Sequence, residues 1–171
     1  DVWSKILKKN NNSRLILKSS MSFSYEILKK KFKQNKVLDS ITFMDKKNNL
    51  EDHLEDYKEI DIALDPFPYN GVTTSFEAIW MGVPLLTLKG FNPISRAGVS
   101  INKNINMDYF IANNQDEYVS KAIDLSNNSK KIIEARNYLF DNALSSNLFN
   151  TQKFSKEFFE TLENINFNNA S

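Results

Sequence analysis

The sequence of 171 residues contains no cysteine and a single histidine, His53. Without thiols there is no disulfide scaffold, no Cys-ligated zinc site and no thiol nucleophile. One histidine excludes a His-rich metal site and leaves no second imidazole for a proton relay. Excess charge is lacking as well: 22 Lys and Arg stand against 21 Asp and Glu, a net charge of +1. Such a balance gives no field that selects nucleic acid or an anionic membrane. No apolar run approaches the roughly 18 residues of a membrane span, and no signal-peptide pattern is present, so a cytoplasmic location is expected. Arginine is scarce, at three residues, while Asn and Lys are abundant, which reads as genomic bias. The chain opens at Asp1 without a methionine, as a piece of a longer protein would.

What is present suffices for one domain. A chain of 171 residues and 19.8 kDa can bury roughly 70% of its unfolded surface and needs no metal or disulfide staple. Short apolar runs at Leu15–Leu17, Ile41–Met44, Ile60–Leu64 and Leu85–Leu88 alternate with segments of helical period, including Phe23 to Phe32 and Thr74 to Met81. That alternation predicts βαβ units, hence one parallel sheet with helices on both faces. From about Gln115 the pattern becomes wholly helical. Its last helix, Thr151 to Leu162, carries Phe154, Phe158 and Phe159 on one side. The expected organisation is an α/β, Rossmann-like domain over 1–163, with a helical wrap over 115–163 and a frayed polar tail over 164–171. No repeat of solenoid period is visible.

In an open parallel sheet, ligands bind beyond the carboxyl ends of the strands. The third run ends at Asp65, followed by Pro66-Phe67-Pro68-Tyr69-Asn70-Gly71-Val72-Thr73-Thr74-Ser75-Phe76-Glu77. Two prolines fix the loop's course, and Gly71 permits a turn or a close ligand approach. A helix start behind three hydroxyl residues offers unpaired N–H groups, the positive end of the dipole and added donors, which is a phosphate site. The structural reading stands beside it: Thr74-Ser75-Phe76-Glu77 is also a capping box. Glu77 has a further possible role, since a carboxylate there can accept both ribose hydroxyls of a nucleotide. Asp61 and Asp65 read as strand-end residues. His53, among Glu51, Asp52, Glu55 and Asp56, is either an exposed surface histidine or a ring that stacks on a flat base. The lysines around Lys29–Lys31 read as a solvated helix face. Ser95-Arg96 reads as the opening of another helix, with Arg96 pairing either with phosphate or with a neighbouring acid.

The stretches Asp61 to Gly71, Thr73-Thr74, Glu77-Ala78, Trp80-Met81-Gly82-Val83-Pro84 and Thr87, then Ser95-Arg96 and Ser145 to Thr151, resemble the O-linked N-acetylglucosamine transferase family. That family includes bacterial proteins with tetratricopeptide repeats and the Spindly-type protein O-fucosyltransferases. The resemblance runs from about Trp3 to Leu162. It implies a GT-B glycosyltransferase, of which this chain is most of the C-terminal, donor-binding domain, incomplete at its N-terminus. It further implies that His53 stacks on uracil, that Thr73 and Thr74, beside Gly71, hold the diphosphate, and that Glu77 binds ribose. The animal enzymes have aspartate at the position of Glu77, so the carboxylate is kept. They have histidine at the position of Val72, so that donor contact is expected to be missing.

By the same resemblance, a glutamine and a lysine that contact the donor, the N-terminal catalytic domain and the repeats would lie before Asp1. The main catalytic groups are therefore expected outside this chain, and the chain alone is expected to be inactive. The reaction implied is inverting, metal-independent transfer of a sugar, N-acetylglucosamine first among the candidates, from a UDP-sugar to Ser or Thr hydroxyls on protein. No cofactor is expected, and no Asp-x-Asp metal motif is present. UDP-glucose and GDP-fucose remain alternative donors, and asparagine or a small carbohydrate an alternative acceptor. The competing class is a non-catalytic module that keeps the nucleotide pocket or only the fold.

Overall fold

The computed structural model describes residues 1–18 and 22–165. Helices and strands alternate: α1 (Val2–Lys9), β1 (Leu15–Lys18), α2 (Ser22–Gln34), β2 (Ile41–Met44), α3 (Leu50–Glu55), β3 (Ala63–Leu64), α4 (Thr73–Trp80), β4 (Leu85–Leu88), α5 (Ala97–Asn104), β5 (Ile111–Ala112), α6 (Gln115–Ser126), α7 (Ser129–Asn142) and α8 (Thr151–Glu163). Every strand pair is parallel, as short strands joined through helices require.

The expected single sheet is not formed among the described residues. β1 pairs with β2, and β3–β4–β5 make a separate three-stranded sheet. β1 and β3 do not pair, because a cleft of about 1350 Å³ lies between them. β3 is also shorter than the expected Ile60–Leu64. Ile60 closes a 3-10 turn over Asp56–Glu59, and its carbonyl accepts from Arg136 Nη1 at 2.8 Å, so it leaves the ladder. β5 lies outside the expected strands. Two apolar residues are too short a run to show a period.

β4 shows how the layers are organised. Successive strand residues point to opposite faces. Leu85 joins a core with Ile79 of α4, Ile101 of α5, Ile105 just after it, and Ile132 and Leu139 of α7. Leu86, on the other face, joins Ile6 of α1 with Ala112, Tyr118, Val119 and Ala122. Helices therefore cover both faces. A third cluster, around Leu7, Phe32 and Val37, packs on β1 and β2. α8 differs from the expected wrap: every residue in it is exposed, with Phe154 and Phe158 stacked on each other at 5.9 Å. Of the expected tail 164–171, residues 166–171 lie outside the described residues. No described helix is long and apolar enough to cross a membrane.

Candidate functional site

The loop after β3 is anchored by a buried acid. Asp65 is 1% exposed; its Oδ1 accepts from the Gly71 N–H at 2.8 Å and its Oδ2 from the Thr87 hydroxyl at 2.6 Å. Burial raises its pKa to about 6, against the lowering effect of those two hydrogen bonds. Tyr118 donates to the Asp65 carbonyl at 3.1 Å, and Asn70 Nδ2 to the Pro66 carbonyl at 3.0 Å. The Phe67–Pro68 peptide is cis. A Cβ on Gly71 would come within 2.7 Å of both Ser75 Oγ and Thr74 Oγ1, so a larger residue there would displace these two hydroxyls at the start of α4.

α4 begins without a side-chain cap. Its N-cap is Val72, and the N–H groups of Ser75 and Phe76 both turn to the Val72 carbonyl. The capping box expected of Thr74 and Glu77 is therefore not formed. The chain is already helical at Thr73, which places Thr74 inside the first turn. Thr73 and Thr74 are exposed, and the N–H groups at this end face outward with the helix dipole behind them. The N–H of Gly71 does not join them, since Asp65 holds it.

Glu77, released from capping, turns to α3. The His53 Nε2–Glu77 Oε2 distance is 2.9 Å, and the Tyr57 hydroxyl lies 3.1 Å from both Glu77 Oε2 and the Thr74 carbonyl. Lys18, at the carboxyl end of β1, brings its ammonium 2.6 Å from His53 Nδ1 and 2.6 Å from Asp56 Oδ2. An ammonium has only donors. Nδ1 must then accept, which puts the imidazole proton on Nε2, donated to Glu77. Burial, followed by the charge of Glu77, pushes the Tyr57 phenol up, so it stays a donor. Burial alone would raise Asp56, but Lys18, then Lys47, hold it below the usual carboxylate range. Both edges of the His53 ring are thus bonded, and its tautomer and orientation are set.

The structure gathers His53, Thr73, Thr74, Gly71 and Glu77 at the carboxyl ends of β1 and β3. Arg96 stands on a turn joined to the site loop, where the Asn70 N–H donates to the Ile94 carbonyl at 3.3 Å. Arg96 ends a 3-10 turn, Pro93–Arg96, that precedes α5, and its Nη1 donates to the Gly90 carbonyl at 3.2 Å. Its partner there is thus a backbone carbonyl and not the neighbouring acid. Lys18 and Tyr57 were not foreseen as site residues. Lys18 carried a signal: a cation that ends an apolar strand of a parallel sheet stands where such sheets bind ligands.

The family model of glycosyl transferase family 41 matches residues 1–158. This chain belongs to glycosyl transferase family 41. Family 41 relatives named probable UDP-N-acetylglucosamine–peptide N-acetylglucosaminyltransferase SPINDLY include that of Solanum lycopersicum, 32% identical over 91% of this chain and 17% of the relative. The SPINDLY protein of Oryza sativa is 34% identical over 79% of this chain and 15% of that protein. A solved structure of an O-GlcNAc transferase mutant from Thermobaculum terrenum matches with a TM-score of 0.77 and 30% identity, covering 82% of this chain and 28% of that one. The chain thus has the fold of a part of the O-GlcNAc transferase catalytic region, a GT-B architecture, and spans about one sixth of its SPINDLY relatives' length.

Proposed function

We propose that this chain is the donor-binding part of a glycosyltransferase that moves N-acetylglucosamine from its UDP-sugar to Ser or Thr hydroxyls of a protein or peptide. The observation that carries the reading is the uncapped start of α4, beside the His53–Glu77 pair, at the carboxyl ends of β1 and β3. The outward N–H groups and hydroxyls of Thr73 and Thr74 hold the diphosphate, and the helix dipole favours its charge. Glu77 Oε2 is engaged by His53 and Tyr57, while Oε1 takes part in neither bond and accepts from ribose. The edges of the His53 ring are fixed by Lys18 and Glu77, so its face is held ready to stack on the base.

In the transfer, the acceptor oxygen bonds to the anomeric carbon as the bond from that carbon to the diphosphate oxygen breaks. The electron pair leaves on UDP, and the hydroxyl proton passes to a base outside this chain. The start of α4 stabilises the charge developing on the departing diphosphate, without a metal. The acceptor is held by parts of the protein outside this chain, the N-terminal GT-B domain and tetratricopeptide repeats in this reading, with the protein acting in the cytoplasm.

The single histidine makes the test direct. Adding UDP to the chain is expected to shift the His53 ring signals in NMR spectra to saturation, with GDP shifting them less at equal concentration. Unchanged ring signals at saturating UDP would overturn the base-stacking role.

A further inference from the structure

Glu77 carries two donors on one oxygen. His53 Nε2–H donates to Oε2 at 2.9 Å, and the Tyr57 hydroxyl reaches the same atom at 3.1 Å. A carboxylate oxygen offers two lone pairs, so Oε2 is filled. Lys18, with its ammonium 2.6 Å from His53 Nδ1, keeps the imidazole proton on Nε2 and so keeps the first donor in place. Burial, followed by the charge of Glu77, holds the Tyr57 phenol above its ordinary value, so the second donor keeps its proton at neutral pH. What remains of Glu77 as an acceptor is Oε1, which takes part in neither bond.

The two donors differ in what they constrain. The terminal torsion of a glutamate is broad and roughly two-fold, so a single donor leaves the carboxylate free to turn. His53 alone would be such a donor. Tyr57 approaches from another element, the 3-10 turn Asp56–Glu59 that follows α3, and its hydroxyl also lies 3.1 Å from the Thr74 carbonyl. One hydrogen is thereby shared between Thr74 in the first turn of α4 and Glu77 in the second, which fixes the carboxylate relative to the helix start. The Tyr57 ring stands at 83° to the His53 ring, with centroids 5.8 Å apart, so the same residue braces the other donor. Lys18, His53, Tyr57 and Thr74 all line the cleft between β1 and β3. The Glu77 side chain is 19% exposed, so it can meet a ligand while water replaces a missing partner poorly.

We propose, resting on the nucleotide reading of this site, that Tyr57 is a positioning residue that makes the site selective for a ribonucleotide over its 2′-deoxy counterpart. With Oε2 filled, Oε1 alone faces the sugar, and its two lone pairs match the vicinal 2′- and 3′-hydroxyls of ribose. A 2′-deoxyribose fills one and leaves the other without a partner in a half-buried site, the arrangement that rejects an analogue lacking a hydroxyl. Without the Tyr57 hydroxyl, Oε2 regains a lone pair and the carboxylate turns. The second bond to ribose is then no longer prepared in advance, and the preference for ribose falls.

Calorimetry of UDP and 2′-deoxy-UDP with the full-length protein tests this role. Wild type is expected to bind UDP roughly tenfold more tightly than 2′-deoxy-UDP, as loss of a hydrogen bond to a charged acceptor implies. Tyr57→Phe keeps the ring against His53 and removes only the hydroxyl. It is expected to bring the ratio to about twofold or less, through weaker UDP binding with 2′-deoxy-UDP nearly unchanged. Damage to the fold would weaken both nucleotides alike, so the ratio isolates the positioning role. A wild-type ratio retained in Tyr57→Phe would overturn the proposal, and so would equal affinity of wild type for the two nucleotides. A wild type that binds neither would overturn the nucleotide reading itself, and the proposal with it.

Discussion

At the scale of single residues, Asp65 and the His53–Glu77 pair carry the most specific consequences. Burial lifts Asp65 from an ordinary 3.8 to about 6, so the folded protein binds that proton more tightly than the unfolded chain does. The stability gained from the neutral carboxyl is full below the unfolded value. It is lost as pH rises through the folded one, a fall of about 3 kcal/mol between roughly pH 4 and 6. In Asp65→Asn the amide oxygen still accepts from Gly71 and the amide nitrogen donates to Thr87, so the fold is expected to survive and that component of the slope to vanish. Urea unfolding of both proteins across this range checks it; the same pH slope in Asp65→Asn as in wild type would place the shift elsewhere. His53 is expected to be the Nε2–H tautomer, read from its ring ¹⁵N shifts, and the Nδ1–H form would contradict the contact with Lys18. Glu77→Gln is expected to weaken uridine as well as UDP by about fivefold, the worth of one hydrogen bond. Unchanged uridine affinity in Glu77→Gln would remove Glu77 from the ribose.

At the scale of elements, close approach governs what is tolerated. Gly98 lies in the first turn of α5 where the helix crosses β4. A Cβ there would sit 2.2 Å from Asp65 Oδ2 and 2.3 Å from Thr87 Oγ1, inside the bond that anchors the site loop. Gly98→Ala is expected to cost about 1–3 kcal/mol in thermal or chemical unfolding, as overpacking does. A neutral result would contradict the tight α5–β4 contact. Four of the five strands were legible as apolar runs between helical periods, and the loop from Asp65 into α4 stood out by its prolines, glycine and hydroxyls. The capping-box reading of the start of α4 does not hold. Thr74-Ser75-Phe76-Glu77 has the spacing of a capping box, but the bond from Asp65 to Gly71 turns the chain earlier and makes it helical at Thr73. Glu77 is thereby free for His53, a partner 24 residues away that no local pattern could supply. Lys18 was hidden for a similar reason: a lone cation after Leu15-Ile16-Leu17 acquires meaning only when α3 is folded against it.

At the scale of the whole molecule, membership of glycosyl transferase family 41 rests on a match over residues 1–158, and the parallel α/β fold agrees with it. The central functional claim is that the start of α4 holds a nucleotide diphosphate. Neither the Thr73 nor the Thr74 side chain caps the helix, and both residues are exposed, so replacing either by alanine should change stability by less than about 0.5 kcal/mol. Binding separates the readings. UDP affinity of the full-length protein, measured by calorimetry for wild type and Thr73→Ala at equal ionic strength, tests the claim most directly. The diphosphate site predicts an affinity loss of about 1–2 kcal/mol, roughly 5- to 30-fold, with unfolding unchanged. Equal UDP affinity in the two proteins would contradict it.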